Sequence, residues 1–160
     1  MSHHFCCVYI NSGTDGRLVA LCSLPFSFHV MPSPFLGRWD FVKSENFDEI
    51  LKALDVDLAS RGLAKFAKPE NIITENDGVY TIETKGLRTT KSTFKIGEKF
   101  SEETADGRKV ESLVLEEAPN KWVHTQDDSK KTTIIIREVD GEKMSIVDDV
   151  EAHREYKKRE

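Results

Sequence analysis

From residue 70 onward, the chain is a succession of short alternating segments separated by turn residues. Pairs such as Asp106-Gly107 and Asp140-Gly141 follow stretches in which apolar and polar residues alternate. Asx-Gly pairs favour tight hairpin turns, and turns this short make neighbouring strands antiparallel. The pattern predicts strands at residues 35–42, 71–75, 79–84, 89–95, 99–102, 109–116, 121–126, 132–139, 142–147 and 150–156.

Ten antiparallel strands in simple sequential order predict an up-and-down β-barrel, because closing the sheet removes its exposed edges. Polar residues occupy both alternating faces of some strands, as at Thr89, Thr90, Lys91, Ser92 and Thr93. Strands of this kind fit a partly wet interior better than a solid apolar core. We therefore expect a mainly β, ten-stranded barrel that encloses a cavity.

Between the first two predicted strands, the apolar spacing changes to that of short helices. Asn46 is placed to cap a first helix, with Glu49 as its capping-box partner, and Asp57 is placed to cap a second helix that Pro69 ends. The apolar residues at helical spacing are Phe47, Ile50, Leu51, Leu54 and Leu58, followed by Leu63, Phe66 and Ala67. We expect a helix-turn-helix of roughly twenty residues.

Residues 1–33 differ in composition from the remainder and form a separate leading segment. All three cysteines lie in it, at Cys6, Cys7 and Cys22. Three interpretations remain open: translation that starts at Met31, a secretory signal whose apolar part is residues 18–30, or a structured or disordered extension. The folded domain is expected to span residues 34–160.

Bulk composition excludes several classes of function. The formal net charge is −5, whereas nucleic-acid-binding proteins usually carry a basic excess, so no nucleic-acid partner is expected. No apolar run approaches the roughly 20 residues that span a membrane. The chain shows no phosphate loop, nucleophile elbow or metal-ligand spacing, so we expect no enzyme, cofactor or metal. The lack of cysteine after Cys22 is compatible with a reducing compartment.

The last predicted strand, residues 150–156, carries two polar groups on an otherwise apolar face. Alternation places Ala152, Arg154 and Tyr156 on the same side. A buried cation costs several kcal/mol unless it is paired, so an inward Arg154 predicts an anionic partner. We interpret this partner as the carboxylate of a bound lipid.

Arg137 lies on a strand where alternation groups it with Ile135 and Val139. One interpretation is an outward arginine paired with an acid on a neighbouring strand, because most arginines are exposed. The other is an inward arginine that binds a carboxylate together with Arg154. Guanidinium groups form charge-assisted, often bidentate bonds to carboxylates, and the Tyr156 hydroxyl can add a neutral donor.

A set of motifs spread over roughly residues 35–158 resembles those of one known family. They are Gly37-Arg38-Trp39-Asp40-Phe41, Asn46-Phe47-Asp48-Glu49-Ile50-Leu51-Lys52-Ala53-Leu54, Lys68-Pro69, Phe94-Lys95-Ile96-Gly97, Thr104-Ala105-Asp106-Gly107-Arg108-Lys109-Val110, Arg137-Glu138 and Arg154-Glu155-Tyr156. Together they resemble the intracellular lipid-binding proteins, which comprise the cytosolic fatty-acid-binding proteins and their retinoid-binding relatives.

The resemblance implies a ten-stranded β-clam with a two-helix lid. It implies a monomeric, cytoplasmic and non-enzymatic carrier of long-chain fatty acids, in which Arg137, Arg154 and Tyr156 hold the ligand carboxylate. The alternatives are a retinoic-acid-type carrier, a secreted lipid-binding protein if residues 1–33 act as a signal, and an enzyme that acts on a lipid in the cavity.

The resemblance also assigns residues to the cavity opening. Phe47 would point into the mouth, where the alternative is packing of the lid on the barrel. Leu87 stands where many relatives carry a portal phenylalanine. Asp106 and Arg108 would face interior water, where the alternative is an ion pair on a surface turn.

The closing segment departs from the family pattern. The spacing from Arg137 to Arg154 is about three residues shorter than in relatives, with Asp148-Asp149 as a tight turn. A slip of one residue in this hairpin would turn Arg154 outward.

Three basic residues near the second helix suggest contact with a membrane. No acidic residue lies between Asp57 and Glu70, whereas Arg61, Lys65 and Lys68 fall in that interval. They could touch anionic membranes during ligand delivery. The alternative is a solvated helix face.

Overall fold

The computed structural model describes residues 32–148 and 152–160, and the leading segment up to residue 31 lies outside them. One antiparallel sheet contains all ten described strands. They are β1 (Gly37–Glu45), β2 (Glu70–Asn76), β3 (Val79–Lys85), β4 (Thr90–Phe94), β5 (Lys99–Glu103), β6 (Lys109–Ala118), β7 (Lys121–Asp127), β8 (Thr132–Asp140), β9 (Lys143–Asp148) and β10 (His153–Lys158). The prediction of a ten-stranded barrel is confirmed.

The sheet closes where the two ends of the folded chain meet. β1 pairs with both β2 and β10, so that Phe41 lies opposite Tyr156. The sheet order therefore begins at β4 and ends at β5. Side chains bridge these two strands: the rings of Phe94 and Phe100 stack with centroids 5.1 Å apart, and Ser92 donates to Glu102.

Two short helices, α1 (Phe47–Ala53) and α2 (Leu58–Ala64), connect β1 to β2. The predicted cap of α2 is confirmed, since Asp57 Oδ1 accepts from the amides of Ala59 and Ser60 at 3.0 Å. The predicted capping box of α1 is wrong. Asn46 has a left-handed backbone with φ 56°, which turns its side chain away from the first helical amides, and it forms no side-chain cap bond. Its Glu49 partner instead contacts Lys52 at 2.6 Å.

Helix α2 ends earlier than predicted, and Phe66, Ala67 and Lys68 lie beyond it. The amides of Phe66 and Ala67 bond three residues back rather than four, so the chain tightens into a turn. The helical backbone is also disfavoured close before Pro69. Leu63, near the end of α2, and Phe66, beyond it, are 62% and 86% exposed.

The buried apolar core lies at the end of the barrel where the odd-numbered strands begin. Phe35 stacks on Trp122 with ring centroids 3.9 Å apart, and Trp39 Nε1 donates to the carbonyl of Phe35 at 2.8 Å. The helices follow the other end of β1, so they lie over the opposite end of the barrel. Among the described residues, no helix has the length and apolar character needed to cross a membrane.

Candidate functional site

A cavity of about 780 Å³ lies beside the helices at the mouth of the barrel. Five residues that the sequence analysis assigned to the ligand site or the cavity opening line it: Phe47, Leu87, Asp106, Arg108 and Arg154. Its volume falls within the range of small-molecule sites. Leu87 is 66% exposed and lies at the rim. A second concavity of about 530 Å³ is lined mostly by charged residues and by Tyr156. Arg137 lines neither of these two concavities.

The last three strands bring the two predicted arginines onto one inner face. Ile146 of β9 lies opposite Arg137 on one side and opposite Arg154 on the other. Neighbouring strands are about 4.8 Å apart, so the two arginine backbones are about 10 Å apart. The Arg154 side chain is 19% exposed and Tyr156 is 1% exposed. The shortened hairpin therefore does not turn Arg154 outward.

Two hydrogen-bond donors at this face have no acceptor. Arg154 Nε and the Tyr156 hydroxyl are both buried and form no hydrogen bond with any residue in 32–148 or 152–160. The rest of the Arg154 guanidinium is held in place, since it lies 4.7 Å from the ring centroid of Phe47 and its Nη2 lies 3.4 Å from Asp148 Oδ2. Unsatisfied buried donors are rare in proteins, and an acceptor such as a ligand oxygen or a water molecule would satisfy these two.

Arg137 belongs to a buried polar chain that the sequence did not predict. Arg137 Nη1 lies 3.1 Å from His124 Nδ1. A guanidinium can only donate, so Nδ1 must accept and the ring proton lies on Nε2. His124 Nε2 is 2.9 Å from Glu102 Oε1, but its N–H group is not well enough aligned with that oxygen to form a hydrogen bond. The chain therefore runs from a carboxylate, through a neutral imidazole, to a guanidinium.

Glu102 joins four strands at this point. Its carboxylate accepts from Ser92 of β4, and from Ser112 of β6 and Gln126 of β7 at 2.7 Å each. Burial raises the pKa of the carboxyl, but the donors from His124, Ser92 and Ser112 outweigh it and lower the pKa to about 2. Glu102 is therefore ionised at neutral pH.

Burial shifts the pKa values of the other two residues of this polar network, His124 and Arg137, downward. Burial lowers the pKa of His124, with the charge of Arg137 adding to this and Glu102 opposing it. Burial also lowers the pKa of Arg137, and the charge of Arg154 lowers it further. Neutral His124 is thus the form that matches its surroundings.

These shifts predict a loss of stability on acidification. Because the pKa of His124 is lower in the folded protein than the ordinary value of 6.5, the unfolded chain binds the proton more readily below that pH. The free energy of unfolding should fall below pH 6.5, by up to about 1.4 kcal/mol per pH unit. Protonation of Glu102 should lower the free energy of unfolding further as the pH falls from 4.5, the ordinary pKa of a glutamate, to about 2, its pKa in the folded protein.

Urea unfolding of ligand-free protein between pH 7.5 and 5 measures this slope. His124→Gln should flatten it, whereas His153→Gln, at an exposed site on β10, should leave it unchanged. A slope that survives His124→Gln would contradict the assignment.

Asp106 and Arg108 meet at the cavity mouth. Arg108 Nε lies 2.6 Å from Asp106 Oδ2 and its Nη1 lies 3.3 Å from Asp128 Oδ2. The three side chains are each less than one fifth exposed. The arrangement is therefore a partly buried cluster with two acids, rather than an isolated pair on a surface turn.

Glu102, His124 and Asp148 are the residues that sequence reasoning missed. Alternation carried a signal for each: Glu102 shares its face with Phe100, His124 with Trp122, and Asp148 with Ile146. The sequence places them inside, but it does not show that Glu102 and His124 meet across the intervening strand β6. The described residues contain no group of three His, Cys, Asp or Glu side chains that could hold a metal ion.

Comparison with known proteins agrees with this architecture. The model of the lipocalin / cytosolic fatty-acid binding protein family matches residues 36–158. The 14 kDa fatty acid-binding protein of Schistosoma mansoni is 40% identical over 130 residues, covering 79% of this chain and 98% of that protein. Human fatty acid-binding protein 9 is 41% identical over 117 residues, covering 72% of this chain and 88% of that protein.

A solved structure supports the same relationship. The Schistosoma mansoni fatty acid binding protein in complex with arachidonic acid superimposes with a TM-score of 0.77 at 39% identity, covering 80% of this chain and 98% of that one. The match of sequence and fold extends over most of the described residues. This chain therefore belongs to the lipocalin / cytosolic fatty-acid binding protein family.

Proposed function

We propose that this protein is a non-enzymatic, monomeric carrier of long-chain fatty acids that works in the cytoplasm. The observation that carries the proposal is the pair of unsatisfied buried donors, Arg154 Nε and the Tyr156 hydroxyl, on the inner face that also holds Arg137. A carboxylate oxygen accepts from such donors. Relatives named as fatty acid-binding proteins, one of them solved with arachidonic acid, support this choice of ligand.

The tail of the ligand supplies most of the binding free energy. Each buried methylene contributes about 0.8 kcal/mol, so a chain of some fifteen contributes about 12 kcal/mol before the costs of association. The arginines and Tyr156 then select and orient the head group. Phe47 packs beneath the Arg154 guanidinium and Leu87 lies at the rim, so both would contact a ligand that passes the mouth. The ion pair with Asp106 would hold the Arg108 side chain next to the path of the entering ligand.

Direct titration tests the carrier function. Delipidated protein should bind a fluorescent fatty acid saturably with one site per chain, and oleate should displace it. Lipids that copurify with the natural protein, identified by mass spectrometry, should include long-chain carboxylates. A protein that binds neither the probe nor oleate would overturn the proposal.

We also propose that the lid contacts anionic membranes during transfer, through a surface that differs from the sequence prediction. Arg61 is 14% exposed and faces Asp48, with Nη1 at 3.7 Å from Oδ2, so it is not available to a membrane. Lys65 and Lys68 are exposed beside three exposed apolar side chains. These are Leu58, Leu63 and Phe66.

The variant Lys65→Glu with Lys68→Glu should slow transfer of a fluorescent fatty acid to vesicles containing anionic lipid by at least about tenfold, because each of the two basic residues lost contributes about 1 kcal/mol near such a surface. Transfer to neutral vesicles should change little. Lys95→Glu with Lys99→Glu, exposed at the opposite end of the barrel, is the matched control. If the transfer rate of the unmodified protein does not depend on the anionic lipid content of the vesicles, this contact is ruled out.

A further inference from the structure

Asp148 is a buried carboxylate inside the barrel, next to Arg154, which lines the cavity. It ends β9 on the same face as Met144 and Ile146, and it lies opposite the buried Ile135 of β8. Its side chain is 2% exposed, and its Oδ2 lies 3.4 Å from Arg154 Nη2. The hairpin between β9 and β10 thus places an acid next to one of the two arginines expected to hold the ligand.

Among the residues that the structure describes, four buried or partly buried charged side chains around the head-group site balance one another before any ligand enters. Arg137 and Arg154 contribute two positive charges, and Glu102 and Asp148 contribute two negative charges. His124 is neutral because its Nδ1 accepts from Arg137, and Tyr156 contributes an uncharged hydroxyl. Both acids also act electrostatically on Arg137. A bound carboxylate would therefore leave one net negative charge inside the barrel.

We propose that Asp148 determines head-group selectivity, as an internal counter-ion of Arg154 that lets the cavity accept lipids with a neutral polar head group as well as fatty acids. This inference rests on the proposed carrier function and refines its substrate class. The class consists of long-chain alcohols and related lipids whose oxygen accepts a hydrogen bond without adding charge.

The chemistry of the site favours this reading. The two unsatisfied donors, Arg154 Nε and the Tyr156 hydroxyl, need only an acceptor oxygen, which an alcohol supplies as well as a carboxylate does. A carboxylate gains more from Arg154, but it is repelled by Asp148 and must share the guanidinium with it. Buried charges that lack full compensation are costly. Asp148 thus reduces the difference in affinity between a fatty acid carboxylate and a neutral lipid of the same tail.

The test compares oleate with oleyl alcohol, both displacing the same fluorescent probe. In Asp148→Asn, which keeps the side-chain shape but removes the charge, oleate should bind about tenfold more tightly while oleyl alcohol changes much less. Asp148→Glu should keep the selectivity of the unmodified protein. Asp140→Asn, at the exposed end of β8, makes the same change in net charge outside the cavity and should leave the ratio of the two affinities unchanged.

The outcomes separate this inference from the proposed function. If oleate and the probe bind but Asp148→Asn leaves the ratio of the two affinities unchanged, or shifts it as Asp140→Asn does, the role of Asp148 is overturned and the carrier function stands. If the unmodified protein binds neither lipid, the carrier function itself fails. Asp148→Ser removes the charge in a second way, and it replaces Asp148→Asn if that variant does not fold by circular dichroism.

Discussion

Replacing both arginines, Arg137→Gln with Arg154→Gln, should weaken oleate binding by roughly a hundredfold. Hydrogen bonds to charged groups contribute about 1.5–3 kcal/mol each, and about 1.4 kcal/mol corresponds to a tenfold change in affinity. Oleyl alcohol should lose much less, because its hydroxyl keeps the Tyr156 donor and its tail is unchanged. Displacement of a fluorescent probe from delipidated protein measures both affinities.

A matched control separates the head-group role from a change in overall charge. Arg38→Gln with Arg159→Gln removes two positive charges from side chains that are 54% and 45% exposed. It should leave both affinities near those of the unmodified protein. Equal losses of oleate and oleyl alcohol in the Arg137 and Arg154 variant would contradict the head-group assignment, since that pattern indicates a distorted cavity.

A second variant should have the largest effect on stability. Glu102→Gln should lower the free energy of unfolding by about 3 kcal/mol, because it leaves buried donors facing an amide and removes the negative charge next to His124. Glu102 is 5% exposed, so water cannot replace the lost contacts. It also connects β4 and β5, which are the two ends of the sheet order. Urea unfolding without ligand measures the change.

The neighbouring Glu103 provides the control. It lies on the outer face of the same strand, where its side chain is 48% exposed and pairs with Arg88. Glu103→Gln should change the free energy of unfolding by no more than about 1 kcal/mol, as expected for an exposed ion pair. Equal destabilisation by the two substitutions would show that the buried network adds nothing beyond the outer pair.

Local sequence patterns determined the elements of this fold. Alternation and Asx-Gly turns predicted the ten strands to within a few residues at their ends, because side-chain direction in a strand depends only on parity. Parity also placed Arg154 and Tyr156 on an inner face, and Asp57 identified the start of α2. The errors occurred where backbone conformation overrides propensity: at Asn46, which is left-handed, and after Ala64, where the helix tightens into a turn.

Only the tertiary structure decided which inward side chains meet. Glu102 and His124 lie on strands separated by β6, and Asp148 reaches Arg154 across the hairpin between β9 and β10. Such contacts depend on strand register and on the closure of the barrel. Whether a residue is odd or even in its strand determines which side of the sheet its side chain faces. Its position along the barrel axis, and so which side chains it contacts, depends on how all ten strands are staggered.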